Sequence, residues 1–163
     1  MRMKARFSKV SQQQYLNARN CGSALTEYNE VKLPCRATRC SAGYDFFAPF
    51  DFTLQCGQSI VVPTAMRCVM PDDWVLLIFP RSGLGFKYRL RLDNTVGVID
   101  ADYSLSDNEG HIFIKLTNEG DKTLTVTKGT AFAQGVFVVY GTTEDDNVTD
   151  VRTGGLGSTD KKQ

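Results

Sequence analysis

The chain has 163 residues, 42% apolar and 23% charged, enough to bury the core of one compact domain and too apolar for wholesale disorder. Nineteen Lys and Arg against eighteen Asp and Glu leave a formal charge of +1, which argues against stable nucleic-acid binding through a dominant basic face. No stretch approaches the roughly 18–20 apolar residues that span a membrane, and no apolar signal-peptide run follows the basic start Met1-Arg2-Met3-Lys4-Ala5-Arg6, so a soluble cytoplasmic protein is expected.

Residues 1–30 are polar and irregular and read as an N-terminal extension, an extra strand plus a loop, with Gln12 to Ala18 as a weak helical stretch. A core over residues 31–141 follows, built of short apolar segments broken by turn residues. Phe46 to Leu54 is punctuated by Pro49, and Cys56-Gly57-Gln58 turns the chain into Ser59 to Val62. Ala65 to Met70 stops at Pro71-Asp72-Asp73, and Trp74 to Phe79 is apolar enough to be buried on both faces. His111 to Thr117 alternates, which places Ile112, Ile114 and Leu116 on one face. Asn118 to Asp121 and Lys128-Gly129 are the next turns, leading into Thr123 to Val126 and Ala131 to Tyr140. Strands at this spacing predict an all-β sandwich, jelly roll or barrel. From Thr142 the chain turns acidic, then rich in glycine, so residues 142–163 read as a flexible C-terminal arm.

Composition also prunes the chemistry. A single histidine, His111, would have to serve any Ser-His-Asp, Cys-His or multi-histidine metal arrangement. The five cysteines (Cys21, Cys35, Cys40, Cys56, Cys68) contain no CxxC pair and read as reduced thiols used as small apolar residues.

Four segments carry chemistry. Arg81-Ser82-Gly83-Leu84-Gly85 offers a guanidinium, a hydroxyl and backbone amides able to cradle phosphate oxygens, although a structural turn would look the same. Asn94 through Tyr103 ends in two carboxylates and a tyrosine, which taken alone also describes a solvated turn. Gln134 sits in an otherwise apolar strand, where a buried amide demands a partner. Arg152, Ser158 and Thr159 lie among glycines, as in an anion-binding lid.

Taken in order, these segments resemble the five motifs of the trimeric dUTPases (dUTP pyrophosphatases). Ser41 to Ala48 is similar to the first, Pro80 to Gly85 to the second, Asn94 to Tyr103 to the third, Gly129 to Gln134 to the fourth and Arg152 to Thr159 to the fifth. The resemblance implies a jelly-roll-like β barrel, a homotrimer with active sites shared between subunits, and an arm from one subunit closing a site on another. It implies hydrolysis of dUTP to dUMP and pyrophosphate, which keeps uracil out of DNA and supplies dUMP for thymidylate synthesis. Asp100 is the expected water-activating base, and Mg²⁺ the cofactor, carried mainly on the triphosphate with Asp45 as an outer-sphere partner. Arg81, Ser82, Gly83 and Gln134 are the expected phosphate contacts, joined by Arg152, Gly157, Ser158 and Thr159 from the arm. Asn94, Gly97, Val98 and Ile99 would read the uracil edge, and Tyr103 would pack on the deoxyribose.

The chain departs from that family in two places. Ser104 to Glu109 lengthens the turn after Tyr103, and Leu156 stands where the family usually carries a phenylalanine that stacks on uracil. Two competing readings share the fold: a dCTP deaminase, alone or bifunctional, and a regulatory binding protein. Against the first, Ser82-Gly83-Leu84 stands where deaminases usually have Ser-Ala-Arg-type residues. A phage- or virus-encoded enzyme would work in the host cytoplasm.

Overall fold

The computed structural model describes residues 4–150, 152 and 154. In chain order the elements are β1 (Arg6–Lys9), α1 (Gln12–Arg19), α2 (Ala24–Glu30), β2 (Tyr44–Phe47), β3 (Phe52–Leu54), β4 (Ser59–Pro63), β5 (Met66–Val69) and β6 (Trp74–Pro80). They continue with α3 (Ser82–Tyr88), β7 (Leu90–Leu92), β8 (Gly97–Asp100), a 3-10 helical turn (Ala101–Leu105), β9 (Phe113–Asn118), β10 (Leu124–Val126) and β11 (Ala131–Val139). The strands pair antiparallel throughout, in a four-stranded sheet of order β2-β11-β6-β8, a three-stranded sheet of order β4-β9-β7, and the pairs β1-β5 and β10-β3. This is the expected jelly-roll-like β architecture.

The alternation expected on β9 is present: Ile114 and Leu116 point into the core, continuing the face begun by buried Ile112. On β6 only Leu76 and Ile78 are buried, while Trp74, Val75, Leu77 and Phe79 are half-covered, so this strand alternates rather than being buried on both faces. Its inner face meets β11 where Gly135 stands opposite Ile78. A β-carbon on Gly135 would lie 2.8 Å from Leu76 Cδ1 and 3.1 Å from Phe46 Cε2, so those side chains occupy the space the glycine leaves.

The N-terminal residues are a strand followed by two helices rather than a strand and a loop. Ser11 caps α1 by accepting the Gln14 N–H at 3.1 Å, and Asn20 closes it in the left-handed region. On α2, Ala24 and Tyr28 follow the helical period and face inward, and Val31, the C-cap, is buried just past its end. The two helices are joined by Glu27, buried at 4% exposure, which accepts from Tyr15 Oη at 3.0 Å, Arg19 Nε at 2.8 Å and Ser23 Oγ at 2.6 Å. Arg19 also stacks on Phe50, 3.8 Å from the ring centroid, and thereby ties the helices to the sheets.

Four of the cysteines (Cys21, Cys35, Cys40, Cys56) are exposed, and only Cys68 is buried as a small apolar residue, its thiol pushed up to about 12 by burial. No helix among the described residues is long and apolar enough to cross a membrane. Residues 142–150 are exposed and carry no regular structure.

Candidate active site

Two clusters hold the candidate residues, and β6 links them. At the C-terminal end of β6, Arg81 turns back across the sheet and forms an ion pair with Asp45 on β2. The pairing register explains the meeting: Asp45 stands opposite Gln134 on β11, which stands opposite Phe79 on β6, so one row of the sheet carries all three. Gln134 donates from Nε2 to the Pro80 carbonyl at 3.2 Å, the partner its position demands. A β-carbon on Gly43 would lie 2.5 Å from Gln134 Oε1, so the glycine makes room for this amide.

Arg81 is also the N-cap of α3, a short helix with no buried residue. The expected loop is therefore a helical turn in which Ser82 and Gly83 are exposed and occupy the first two positions. Backbone N–H groups at that end of a helix have no intrahelical acceptor and are free to meet an anion.

The second cluster sits on β8 and the turn after it. Asn94, Gly97, Val98 and Ile99 line a cleft of about 290 Å³ whose remaining wall includes Val61, Leu92 and Phe113. Gly97 is buried against Ile78, where a β-carbon would stand 3.0 Å from the Ile78 Cβ. Asp100 ends β8 with its side chain 48% exposed. It pairs with Arg152, which also donates to Asp102 at 2.9 Å and lies 5.9 Å from the Tyr103 ring centroid. Tyr103 is nearly buried, and burial raises its phenol above its ordinary range. Its hydroxyl donates to the His111 carbonyl at 2.8 Å and accepts from Asn108 Nδ2 at 2.9 Å.

The long turn after Tyr103 is well tied. Arg67 Nη2 donates to the Ser104 carbonyl at 2.6 Å, and Glu109 accepts from the Ser11 N–H at 2.6 Å and from its hydroxyl at 2.5 Å. The Ser11 hydroxyl and N–H hold the Glu109 carboxyl below its ordinary value. Gly110 adopts a φ of +72, and a β-carbon there would lie 2.7 Å from the Ser104 Cα. His111 is fully buried and accepts the Ala65 N–H on Nε2 at 3.0 Å; burial pushes its pKa down to about 4. The single histidine is thus a structural acceptor. Among the described residues no group of three or more His, Cys, Asp or Glu is placed to hold a metal ion.

The structure brings together Asp45, Arg81 and Gln134 at one end, and Asp100, Tyr103 and Arg152 at the other. It does not bring the two groups to each other. Asp100 pairs with Val75 near the start of β6, whereas Arg81 follows its last residue, a separation of about 20 Å along the strand. Leu156, Gly157, Ser158 and Thr159 lie outside the described residues. The Asp-x-Asp spacing of the third motif marks Asp102 beside Asp100, and both carboxylates meet Arg152.

A family model described as dUTPase matches residues 29–160. The chain belongs to the dUTPase family. It is 37% identical over 140 residues to the deoxyuridine 5'-triphosphate nucleotidohydrolase of Lactococcus lactis, covering 83% of this chain and 93% of that protein. It is 38% identical over 141 residues to the enzyme of the same name from Acinetobacter baylyi, covering 82% and 91%. Among solved structures, the dUTPase of Streptococcus mutans matches with a TM-score of 0.65 at 31% identity, covering 85% of this chain and 98% of that one. A dUTPase from the S. aureus phage phi11, a structure described as revealing the coordination of a structural Mg(II) ion, shares the fold with a TM-score of 0.65 at 21% identity, covering 91% and 98%.

Proposed function

We propose that this dUTPase-family chain hydrolyses dUTP to dUMP and pyrophosphate by attack of water on the α-phosphorus, with Asp100 as the base. The observation that carries the reading is the place of Asp100, a solvent-reachable carboxylate ending β8, the strand that walls the cleft, and held by Arg152. The water oxygen forms a bond to the α-phosphorus, its proton passes to the Asp100 carboxylate, and the bond to the bridging oxygen breaks to release pyrophosphate. Asn94 and the backbone of Gly97, Val98 and Ile99 read the uracil edge from the cleft wall. Tyr103, fixed by its two hydrogen bonds, carries the deoxyribose on its ring. Arg81, Ser82, Gly83 and Gln134 take the phosphate oxygens, and the Arg152 guanidinium exchanges its carboxylates for phosphate when substrate arrives.

The donor set at Asp45, one carboxylate already facing a guanidinium, fits a hydrated Mg²⁺ that arrives on the triphosphate rather than one caged by protein. Bound there, the ion would neutralise phosphate charge and fix the shape of the triphosphate. The separation of Arg81 from Asp100 supports shared sites. These two residues must reach neighbouring atoms of one triphosphate, yet within a chain they stand at opposite ends of β6. A second copy that supplies the missing half removes the difficulty, in keeping with a homotrimer acting in the cytoplasm of its own cell or of a host.

The test is a product assay with dUTP, dCTP, dTTP and UTP offered separately. Pyrophosphate from dUTP alone is expected. Ammonia from dCTP would establish the deaminase instead, and no turnover of any nucleotide would leave a binding protein.

A further inference from the structure

The hydroxyl of Tyr103 is held at two points, and one of them belongs to the turn that departs from the family pattern, Ser104 to Glu109. It donates to the His111 carbonyl at 2.8 Å and accepts from Asn108 Nδ2 at 2.9 Å. The other end of the Asn108 amide sets the direction of the second bond. Asn108 Oδ1 accepts the Gly110 N–H at 3.1 Å, so the Nδ2 end is the one that faces the phenol oxygen. The Oδ1 bond alone would serve the turn, and the Nδ2 bond is the one that turn geometry does not call for. The Asn108 backbone is fixed as well, its carbonyl accepting the His111 N–H at 3.1 Å. Around it, Arg67 donates to the Ser104 carbonyl, and the Glu109 carboxylate takes both the N–H and the hydroxyl of Ser11. Gly110 folds the turn back so closely that a β-carbon there would lie 2.9 Å from the Tyr103 carbonyl oxygen.

We infer that Asn108 is a positioning residue for Tyr103: its amide supplies the second point that locks the ring, and the lengthened turn thereby contributes to the choice of deoxyribose over ribose. A phenol held by one hydrogen bond can pivot about it, whereas bonds to two separate atoms fix the oxygen and with it the ring. A ring that cannot recede leaves no room for a 2′-hydroxyl on the sugar packed against it. The His111 contribution is a backbone carbonyl, which no side-chain substitution removes, so Asn108 is the member of the pair open to test. The inference rests on the reading in which Tyr103 carries the deoxyribose, but the hydrogen bond itself does not.

The experiment uses the full chain with Asn108→Ala and Asn108→Asp. The second variant keeps an acceptor for the Gly110 N–H and cannot donate to the phenol, so it isolates the bond in question. Two readouts are needed: kcat/KM for dUTP and for UTP, and the Tyr103 Cζ resonance in nucleotide-free protein labelled with ¹³C at that carbon, identified by its loss in Tyr103→Phe. Both variants should shift that resonance and leave those of the other five tyrosines in place. Both should lower the dUTP/UTP ratio of kcat/KM roughly 3–10-fold, the scale of one lost hydrogen bond. In a Tyr103→Phe background, which has no hydroxyl to hold, Asn108→Asp should alter the ratio less than about twofold. An unmoved resonance, equal losses for the two nucleotides (the result of a turn that merely came loose), or full additivity with Tyr103→Phe would each overturn the inference. A wild-type chain that does not hydrolyse dUTP would overturn the functional reading, while the resonance would still decide whether Asn108 holds the phenol.

Discussion

Asp100 and Gln134 illustrate how neighbours set the duty of a polar side chain. Asp100 is open to solvent and gripped by a cation, so it can exchange that partner for a water; Gln134 is half-buried and committed to a carbonyl. Asp100→Asn should therefore leave folding and nucleotide binding intact and lower kcat by roughly 10²–10⁴-fold, measured by pyrophosphate release beside a binding isotherm. Near-normal turnover would move the base elsewhere, with Asp102 the first candidate. Gly43→Ala tests Gln134 from outside. The added methyl meets Gln134 Oε1, the free end of a side chain, so the amide must swing and release Pro80. Activity should fall about tenfold, the scale of one lost phosphate contact, while the melting temperature moves little. At this scale the sequence was informative about identity and poor about company. Asp45, Arg81, Asp100 and Gln134 could be singled out by motif, but that Arg81 lies on Asp45 follows from strand register, which no local spacing reveals.

The strands were legible because turn residues punctuate them and Ile112, Ile114 and Leu116 alternate. The helices were less so. α2 has its signals, Ser23 ahead of it and Ala24 and Tyr28 at helical spacing, but it is only seven residues long. α3 contains Gly83 and Gly85, poor helix formers, and buries nothing, so neither propensity nor amphipathicity marks it. Where α1, the long turn and β9 meet, His111 makes the junction sensitive to acid. Its neutral ring accepts the Ala65 N–H, and protonation would remove that acceptor and place a charge in the core. The folded pKa of about 4 lies below the usual 6.5. Between those values the unfolded chain binds a proton that the folded chain refuses, so stability falls as pH drops through that window. Denaturant titrations should lose about 2 kcal/mol between pH 7 and pH 5, and His111→Gln should flatten that slope whatever it costs at pH 7. An unchanged slope would mean that the ring is charged in the fold.

Across the whole molecule, the candidate residues fall into two groups at opposite ends of β6, and the proposal that two subunits share each site can be tested by mixing them. Mixing Arg81→Gln subunits with Asp100→Asn subunits, each inactive alone, should regain part of the wild-type rate, since some mixed sites draw both intact halves from different chains. Dissociation and reassociation followed by a dUTP assay measures it, and no recovery would count against shared sites. The pairing of opposite charges within each half has a kinetic meaning as well. Arg81 is matched to Asp45, and Arg152 to Asp100 and Asp102, so two guanidiniums face three carboxylates and the combined formal charge is −1. These five groups offer an approaching triphosphate no net positive charge, and these cations become available only as their carboxylate partners are displaced. Capture of dUTP should therefore proceed without electrostatic steering. Its association rate constant, followed by stopped flow, should change less than about threefold between 20 mM and 300 mM salt, whereas a strong fall with salt would mean that the arginines stand free when the nucleotide arrives.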